Sequence, residues 1–245
     1  MSTQYIVKLG GSLITDKNTQ DTFDELGILA CVDWLHLNKK SIQTIVLGGG
    51  SFGHIAATKL IKNWSSITVS QRKKQIQTIQ QSMQVLRKYL SRALGEKGIT
   101  SVAVSPEKYS SINKTVQACA EVIKSGNILL THGAVLMDTQ KLTIVSSEDI
   151  MMDLVRHIDS ADGAKKNFEY VFFTKTKGVL DADGAIIPRI KTAAVIETFG
   201  TPNDTTGGMA QKLKNAFTLA ATGNAVWITH PSIFGDGRGT KIVGE

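Results

Sequence analysis

Glycine-rich turns hold the residues of this sequence that could do chemistry. The longest turn lies in residues 44–57, TIVLGGGSFGHIAA, where three consecutive glycines follow an apolar run and precede helix-forming residues. In a strand–loop–helix turn of this kind, free backbone N–H groups and the helix dipole converge on one point. The segment therefore predicts an anion site, with phosphate as the natural occupant.

Two known phosphate motifs match this segment only in part. Its glycines satisfy the dinucleotide pattern G-x-G-x-x-G, but that pattern also requires an acidic residue about 20 positions later. The sequence has no Asp or Glu between Asp33 and Glu96, which disfavours a nicotinamide site. A P-loop is disfavoured because His54 stands where a lysine would contact the phosphates. The remaining alternative is a strand–helix turn that binds no ligand.

Two further glycine turns have lysines nearby. Gly10 and Gly11 follow a predicted strand over residues 4–9 that contains Lys8, and Lys17 comes shortly after this turn. A third turn, at residues 205–209, opens a predicted helix that contains Lys212. A single lysine is most often exposed, which is the simplest interpretation of Lys17, but Lys8 lies within an apolar strand. We therefore expect the charge of Lys8 to serve a function.

The composition is that of an ordinary globular protein. The chain has 245 residues, 42% of them hydrophobic and 20% charged, so one large α/β domain is the default expectation. No stretch is long and apolar enough to span a bilayer, and the first residues lack a signal-peptide core, which predicts a cytoplasmic protein without a membrane partner. Cys31 and Cys119 have no metal-binding spacing and are expected to be buried.

The net charge of +7 is concentrated in residues 39–92, which contain no acidic residue. Such a field could attract nucleic acid or a small anion, or it could be a solvated basic face. Aromatic residues are not interleaved with these charges in the manner of a base-stacking platform, so we expect no nucleic-acid partner.

Hydrophobic spacing predicts two long helices. One covers residues 23–37, and the residues expected to pack on a sheet are Leu26, Leu29, Ala30, Trp34 and Leu37. The other covers residues 70–94, and its apolar stripe consists of Ile76, Ile79, Met83, Leu86, Leu90 and Leu94. Such a stripe is usually core packing, but Met83, Leu86 and Leu90 could instead line an apolar channel for a substrate.

Short apolar runs alternate with these helices along the rest of the chain. Strands are predicted at residues 4–9, 45–47, 100–105, 128–131, 142–145, 171–174, 225–229 and 241–243. Residues 181–184, DADG, are interpreted as a hairpin turn because a calcium loop needs more regularly spaced acids. The alternation predicts an α/β fold with a mostly parallel sheet and helices on both faces.

Several phosphate-binding turns on one sheet favour a kinase. Ligands of open α/β sheets bind beyond the carboxyl ends of the strands, where all three glycine turns are expected. Phosphoryl transfer mainly requires that two phosphate-bearing partners be held in line and that the charge on the transferred group be neutralised. Separate glycine turns and several lysines would meet both requirements.

Three motifs in order carry a resemblance to a known family. They are KLGGSLITDK at residues 8–17, GGGSFGH at residues 48–54 and TGGMAQK at residues 206–212. Together they resemble the signature of the amino acid kinase superfamily, and the whole chain looks most similar to isopentenyl phosphate kinases. The fosfomycin kinases share most of the same signature.

The resemblance implies a fold and an activity. The fold would be an open αβα sandwich formed by residues 1–245 as a single domain, with an acceptor-binding part at about residues 1–150 and a nucleotide-binding part at about residues 151–245. The enzyme would use ATP and Mg²⁺ to phosphorylate isopentenyl phosphate to isopentenyl diphosphate. It would act as a homodimer, and no residue is assigned to a metal.

The resemblance also implies which residues form the site. The catalytic residues would be Lys8, Lys17, His54, Glu148 and Lys212. The acceptor-binding residues would be Gly48, Gly49, Gly50, Ser51, Gly53, His54 and Ser147. The nucleotide-binding residues would be Lys8, Gly10, Gly11, Ser12, Thr174, Lys177, Gly178, Thr206, Gly207, Gly208 and Lys212. His54 would contact the acceptor's phosphate or phosphonate, although it could also merely cap its helix.

Three places depart from the family pattern. Ala134 replaces an expected aspartate, Glu148 stands where a shorter acid is usual, and Lys175 and Lys177 replace two acids. These changes keep three alternatives open. The acceptor could be isopentenyl phosphate, a fosfomycin-like phosphonate or another small anionic metabolite; the nucleotide preference could differ; or the chain could be a non-catalytic nucleotide- or anion-binding protein on the same fold.

Overall fold

An eight-stranded sheet forms the centre of the computed structural model, which describes residues 3–16, 18–109, 111–138, 141–162, 168–192 and 208–244. The strand order is β3-β4-β2-β1-β7-β9-β10-β8. The strands are β1 (Gln4–Leu9), β2 (Ile42–Leu47), β3 (Ser101–Ala103), β4 (Ile128–His132), β7 (Phe168–Phe173), β8 (Arg189–Ile190), β9 (Ala225–Thr229) and β10 (Thr240–Ile242). Neighbouring strands are parallel except for the antiparallel pair β9 and β10.

Helices cover both faces of this sheet. They are α1 (Gly11–Ile14), α2 (Glu25–Leu37), α3 (Gly50–Asn63), α4 (Val69–Glu96), α5 (Ile112–Lys124), α6 (Ser147–Asp162), α7 (Gly208–Ala220) and α8 (Pro231–Phe234). Residues of α2, α4 and α8 share one core cluster with the sheet, and residues of α5, α6 and α7 share another. The alternation within β1 reflects this division, because Ile6 belongs to the second cluster and Val7 to the first. The predicted αβα sandwich with a mostly parallel sheet is confirmed.

A separate hairpin follows β4. It consists of β5 (Ala134–Asp138) and β6 (Lys141–Val145), which pair in antiparallel fashion. Of these two strands, only β6 was predicted from the sequence. Val135 belongs to a third core cluster with residues of α3 and α4, namely Ala57, Leu60, Ile76 and Ile79. The side-chain amide of Gln80 on α4 donates to the carbonyl of Val135, with a distance of 3.0 Å. The hairpin is therefore anchored to the helices beside the sheet.

The structure confirms most of the elements predicted from the sequence. All six apolar residues of the stripe on α4 are buried, and both cysteines are buried. Residues 181–184 form the predicted turn, since Leu180 and Ile186 make an antiparallel bridge on either side of it. Among the described residues, no helix has the length and apolar character needed to cross a bilayer.

The predicted buried face of α2 is wrong at most positions, although Trp34 is buried as predicted. Leu26 and Leu37 are 80% and 81% exposed, whereas the buried residues are Gly27, Ile28, Cys31, Val32, Trp34 and Leu35. Two apolar stripes run along this helix, so spacing alone could not choose between them. The close approach of Gly27 to α1 fixes the choice, because a Cβ on Gly27 would lie 1.8 Å from the carbonyl oxygen of Leu13. Only glycine fits there, and this orientation turns Leu26 outward.

Candidate active site

The three central strands end level with one another. In the sheet register, Leu9 of β1 lies beside Leu47 of β2 on one side and beside Phe173 of β7 on the other. Gly10, Gly48 and Thr174 follow these residues, so three of the predicted site segments begin at the same edge. This arrangement is the one expected for the carboxyl edge of a parallel sheet.

The glycine turns after β1 and β2 interlock through their backbones. The backbone N–H of Gly48 donates to the carbonyl of Leu9, with a distance of 2.8 Å. A Cβ on Gly11 would lie 2.3 Å from the nitrogen of Gly50, and a Cβ on Gly48 would lie 2.5 Å from the nitrogen of Gly11. No side chain fits between the turns. The two predicted phosphate loops therefore form one structural unit.

Thr15 stabilises this unit through hydrogen bonds and was not predicted as a site residue from the sequence. Its buried hydroxyl donates to the carbonyl of Gly11 at 2.7 Å and accepts from the backbone N–H of Ser51 at 2.9 Å. Gly50 has a φ of +47° and would place a Cβ 2.0 Å from that hydroxyl oxygen. The threonine of the KLGGSLITDK segment was the available signal. Its hydroxyl connects the first glycine turn to the start of α3.

The start of α3 carries the predicted acceptor residues. The N-cap of α3 is Gly49, so no side-chain cap covers the first turn of the helix. Gly53 and His54 lie within the first two turns, and His54 is exposed. The position thus offers backbone N–H groups and an accessible imidazole near one another.

Lys8 is buried at the end of β1 and pairs with Glu148 of α6. Lys8 is only 5% exposed, and its ammonium contacts the Glu148 carboxylate directly. The other oxygen of Glu148 accepts from the hydroxyl of Ser147 at 2.9 Å. Ser146 and Asp149 cap the same helix reciprocally, with N···O distances of 2.9 and 3.0 Å. Two predicted site residues, Lys8 and Glu148, are therefore brought together.

Lys212 lies close enough to Lys8 to affect its charge. Burial, and to a smaller extent the positive charge of Lys212, lower the pKa of Lys8 to about 7, while Asp149 opposes this shift. Lys212 is on α7, whose first residue is Gly208 of the third glycine turn. Two cationic side chains thus lie close to each other at the carboxyl edge of the sheet, and one of them, Lys8, is paired with Glu148. An anion bound there would favour the charged form of both lysines.

The segment after β7 is held by side-chain contacts. The hydroxyl of Thr174 donates to the carbonyl of Thr176 at 2.8 Å, and Thr176 donates in turn to the carbonyl of Gly178 at 2.9 Å. Lys175 pairs with Asp24 at the N-terminus of α2, with an N···O distance of 3.2 Å. Lys177 lies near His230, since its charge, together with the larger effect of burial, lowers the pKa of that histidine.

A cavity of about 710 Å³ lies beside α6 and the β5–β6 hairpin. Its wall includes apolar residues of the β5–β6 hairpin, among them Leu136 and Ile144. The same wall carries three carboxylates, which belong to Glu107, Asp149 and Asp153. Asp149, whose charge acts on Lys8, is the lining residue that links this cavity to the candidate site.

Comparison with known proteins identifies the family. The sequence profile of the amino acid kinase family matches residues 4–230. The chain belongs to the amino acid kinase family. Isopentenyl phosphate kinase of Haloferax volcanii is 32% identical over 98% of each chain, and that of Methanocaldococcus jannaschii is 26% identical over 97% of each chain. The chain is accordingly a phosphotransferase of this family, and ATP use follows from that membership.

The fold of this amino acid kinase also matches a solved structure. The product complex of the isopentenyl phosphate kinase from T. acidophilum superposes with a TM-score of 0.74, at 23% identity, covering 98% of this chain and 99% of the other. At this identity the likeness supports the fold alone. It agrees with the α/β fold and the mostly parallel sheet described above.

Not every predicted site residue of this kinase can be placed. Lys17, Thr206 and Gly207 lie outside the described residues. Ser12 lies half-buried in α1, directly after Gly11 of the first glycine turn, and its role near the phosphates stays a prediction. The predicted apolar channel is wrong for Leu86 and Leu90, which are fully buried in the core beneath α4, whereas Met83 lies against Gly53 of the predicted acceptor turn. The face of α4 that carries these two leucines packs against the sheet and therefore cannot line a channel.

Proposed function

We propose that this kinase transfers the γ-phosphoryl group of ATP to the phosphate group of a small phosphorylated acceptor. The observation that carries the proposal is the convergence of Lys8, Glu148 and Lys212 beside two interlocked glycine turns. A phosphate oxygen of the acceptor attacks the γ-phosphorus, the bond from that phosphorus to the β,γ-bridging oxygen breaks, and ADP leaves. Charge builds up on oxygens at the point where the lysines meet.

Each part of the site receives a role in this reaction. The turn at Gly48, Gly49 and Gly50 and the start of α3 bind the acceptor phosphate, and His54 donates a hydrogen bond to it. Lys8 and Lys212 neutralise the transferred group, while Glu148 holds the ammonium of Lys8 in position. The first turn, the segment after β7 and α7 bind the nucleotide. We assign Lys17, Thr206 and Gly207 the roles expected from the sequence.

We also propose that Mg²⁺ accompanies the nucleotide. The described residues contain no group of three or more His, Cys, Asp and Glu side chains that could enclose a metal. Mg²⁺ held mainly by nucleotide phosphates and water needs few protein ligands, and we assign Asp149, whose charge already acts on Lys8, as the available carboxylate. The bound ion would neutralise phosphate charge alongside the lysines.

Isopentenyl phosphate is the first acceptor to test, because the relatives at 26 to 32% identity are isopentenyl phosphate kinases. A second candidate is a different small anionic metabolite. The carboxylates of Glu107, Asp149 and Asp153 in the cavity wall favour it, since they suit a polar substituent better than a hydrocarbon tail.

The expectations of a homodimer and of an acceptor-binding part at about residues 1–150 belong to the same proposal.

The direct test is release of ADP from ATP–Mg²⁺ with a panel of phosphomonoesters and phosphonates. Lys212→Ala should lower turnover strongly, whereas Lys214→Ala, an exposed lysine on the same helix, should not. His54→Ala should abolish acceptor-dependent turnover and leave ATP binding largely intact. No acceptor raising turnover above background ATP hydrolysis would refute the kinase proposal, and loss of ATP binding in His54→Ala would move His54 to the nucleotide side.

A further inference from the structure

The end of the molecule where α3 leads into α4 combines positive charge with exposed apolar side chains. The two helices are joined by residues 64–68 and pack against each other, so the last turns of α3 lie beside the first turns of α4. We call residues 59–74 the α3–α4 tip. Residues 25–97, which include the tip, contain eleven Lys and Arg and three Asp and Glu, so this part of the chain accounts for the whole net charge of +7.

The tip contains five cations and no acid. Arg72 is half-buried, and the four lysines are exposed; these are Lys59, Lys62, Lys73 and Lys74. None of these lysines forms an ion pair with any residue that the structure describes. Their charges are therefore uncompensated within the described part of the chain, and the tip attracts anions.

Two apolar side chains are exposed among these lysines. Ile61 is 50% exposed, and Val69 is 41% exposed. Ile61 directly precedes Lys62, and Val69 begins α4 four residues before Lys73. This combination suits an anionic bilayer surface, because lysines reach lipid headgroups while neighbouring apolar side chains enter the interface.

The tip is held in a defined shape by local contacts. Cζ of Arg72 lies 4.5 Å from the centroid of the Trp64 ring, and Nε of Arg72 donates to the carbonyl of Trp64 at 2.9 Å. Thr68 and Gln71 form a reciprocal capping box at the start of α4. The backbone that carries the lysines is therefore ordered before any partner binds, which lowers the entropic cost of binding.

We propose that the α3–α4 tip docks this protein onto the surface of an anionic lipid bilayer. Lys62 and Lys73 contact lipid phosphates, and Ile61 and Val69 enter the interface. The proposal concerns binding at the surface, whereas the expectation of no membrane partner rests on the lack of an apolar stretch that could span a bilayer. It does not depend on the proposed kinase reaction.

Two other partners fit the tip less well. A two-fold contact with a second copy through the tip would bring its lysines opposite like charges. A nucleic acid would neutralise the lysines but would leave Ile61 and Val69 without an apolar partner. In addition, Arg72 already covers a face of Trp64, the one aromatic residue in the sequence of the tip, so that face is not available for base stacking. A bilayer surface uses both the charges and the apolar side chains.

Cosedimentation of the unmodified protein with lipid vesicles tests the proposal. We expect binding to vesicles of phosphatidylcholine mixed with phosphatidylglycerol, and at least about tenfold weaker binding to vesicles of phosphatidylcholine alone. Binding should also weaken as the NaCl concentration is raised, because salt screens the attraction. Equal binding to both kinds of vesicle, or no binding to either at low salt, would overturn the proposal.

Charge-reversal variants locate the binding surface. Lys62→Glu/Lys73→Glu should lower the partition coefficient for the mixed vesicles by about 20-fold or more, since each lysine near an anionic surface contributes about fivefold. Lys114→Glu/Lys124→Glu is the matched control, because it makes the same change in net charge at exposed residues of α5, on the opposite face of the sheet from α4. The control should lose less than about threefold, because its charges lie far from the bound surface. An equal loss in both double variants would show that the tip is not the binding surface.

Ile61→Ser/Val69→Ser tests the apolar contribution. This variant keeps the net charge and should weaken binding to the mixed vesicles by about three- to tenfold. Unchanged binding would contradict the insertion of these two side chains. Thermal unfolding of every variant checks its folding, which should match that of the unmodified protein because the changed residues are exposed.

A duplex DNA and a single-stranded RNA oligonucleotide serve as the competing probes. We expect only weak retention of either, with little difference between the unmodified protein and Lys62→Glu/Lys73→Glu. If this variant lost nucleic-acid binding but kept its binding to the mixed vesicles, the partner of the tip would be a nucleic acid and the proposal would be wrong.

Discussion

The glycine turns after β1 and β2 and the segment after β7 meet at the same edge of the sheet but are held in place differently. The turns touch backbone to backbone, with no room for a Cβ at Gly11 or Gly48. The segment after β7 relies on hydroxyl groups and on the ion pair between Lys175 and Asp24. Backbone contacts cannot adapt to a new side chain, whereas an exposed side-chain contact can be lost at little cost.

This difference accounts for one of the three departures from the family pattern. The KLGGSLITDK and GGGSFGH segments fit the pattern, and Gly10, Gly11, Gly48 and Gly50 within them have no room for a Cβ. Lys175 and Lys177 replace two acids in the segment held by side chains. Lys175 points to Asp24 at the start of α2, so this substitution is absorbed by a new surface ion pair. The proposed acceptor side is therefore fixed by the backbone, while the segment after β7 can vary.

The largest effect is expected where the two regions meet, at Lys8. Lys8→Met should lower kcat by about 10²- to 10³-fold, since it removes a charge aimed at the transferred group. It should also destabilise the fold by about 3–5 kcal/mol, because the carboxylate of Glu148 loses its partner. The double variant Lys8→Met/Glu148→Gln should recover much of the stability in chemical denaturation but none of the activity. Recovery of activity would show that Lys8 acts only through the ion pair.

The next effect concerns the interlocked turns. Gly11→Ala should destabilise the protein by about 1–3 kcal/mol or prevent folding, because its Cβ would lie 2.3 Å from the nitrogen of Gly50. Gly95→Ala is the control, since a Cβ there meets nothing within 4 Å near the end of α4. It should stabilise the protein by about 0.4–1 kcal/mol. Urea denaturation measures both, and equal effects at Gly11 and Gly95 would contradict the backbone contact.

The pH dependence tests the environment of Lys8. Because its pKa is lowered to about 7, the ammonium is lost in the free enzyme as pH rises through about 7, and kcat/KM for ATP should fall there. The sign for stability is opposite. Between about pH 7 and the ordinary lysine pKa the unfolded chain binds more protons, so the contribution of Lys8 to stability rises with pH.

Glu148→Gln sharpens this pH test. Removal of the carboxylate that contacts Lys8 should lower the pKa of Lys8 further and move the alkaline fall in kcat/KM to lower pH. A pH–rate profile of the two proteins under identical salt conditions measures the shift. A profile that stays in place would mean that another group controls it.

The smallest effect is expected at the ion pair after β7. Lys175→Ala should change the free energy of unfolding by less than about 0.5 kcal/mol, since the lysine is largely exposed. Asp24→Ala should cost about 1 kcal/mol, because Asp24 also caps α2 by accepting from the backbone N–H of Gly27. If Lys175→Ala cost as much as Asp24→Ala, the segment after β7 would be held more firmly than its contacts indicate.

Part of the site could be predicted because it depends on local backbone chemistry. Glycines after short apolar runs, and a lysine within a strand, are visible in the chain itself, and the turns at Gly10 and Gly48 lie at the carboxyl edge as expected. The role of Thr15 in joining the two glycine turns could not be predicted, because it depends on a hydrogen bond with Ser51, 36 residues away. The hairpin strand β5 was missed for a similar reason, since its partner defines it.

The sequence by itself determined the α/β alternation, the family and the three glycine turns, because each is encoded in short-range spacing. Only the tertiary structure decided which stripe of α2 is buried, since that depended on Gly27 meeting Leu13. It also decided that Leu86 and Leu90 belong to the core and that Glu107 lies in the wall of the cavity. Both results depend on contacts between segments far apart in the chain, and spacing along the chain does not specify such contacts.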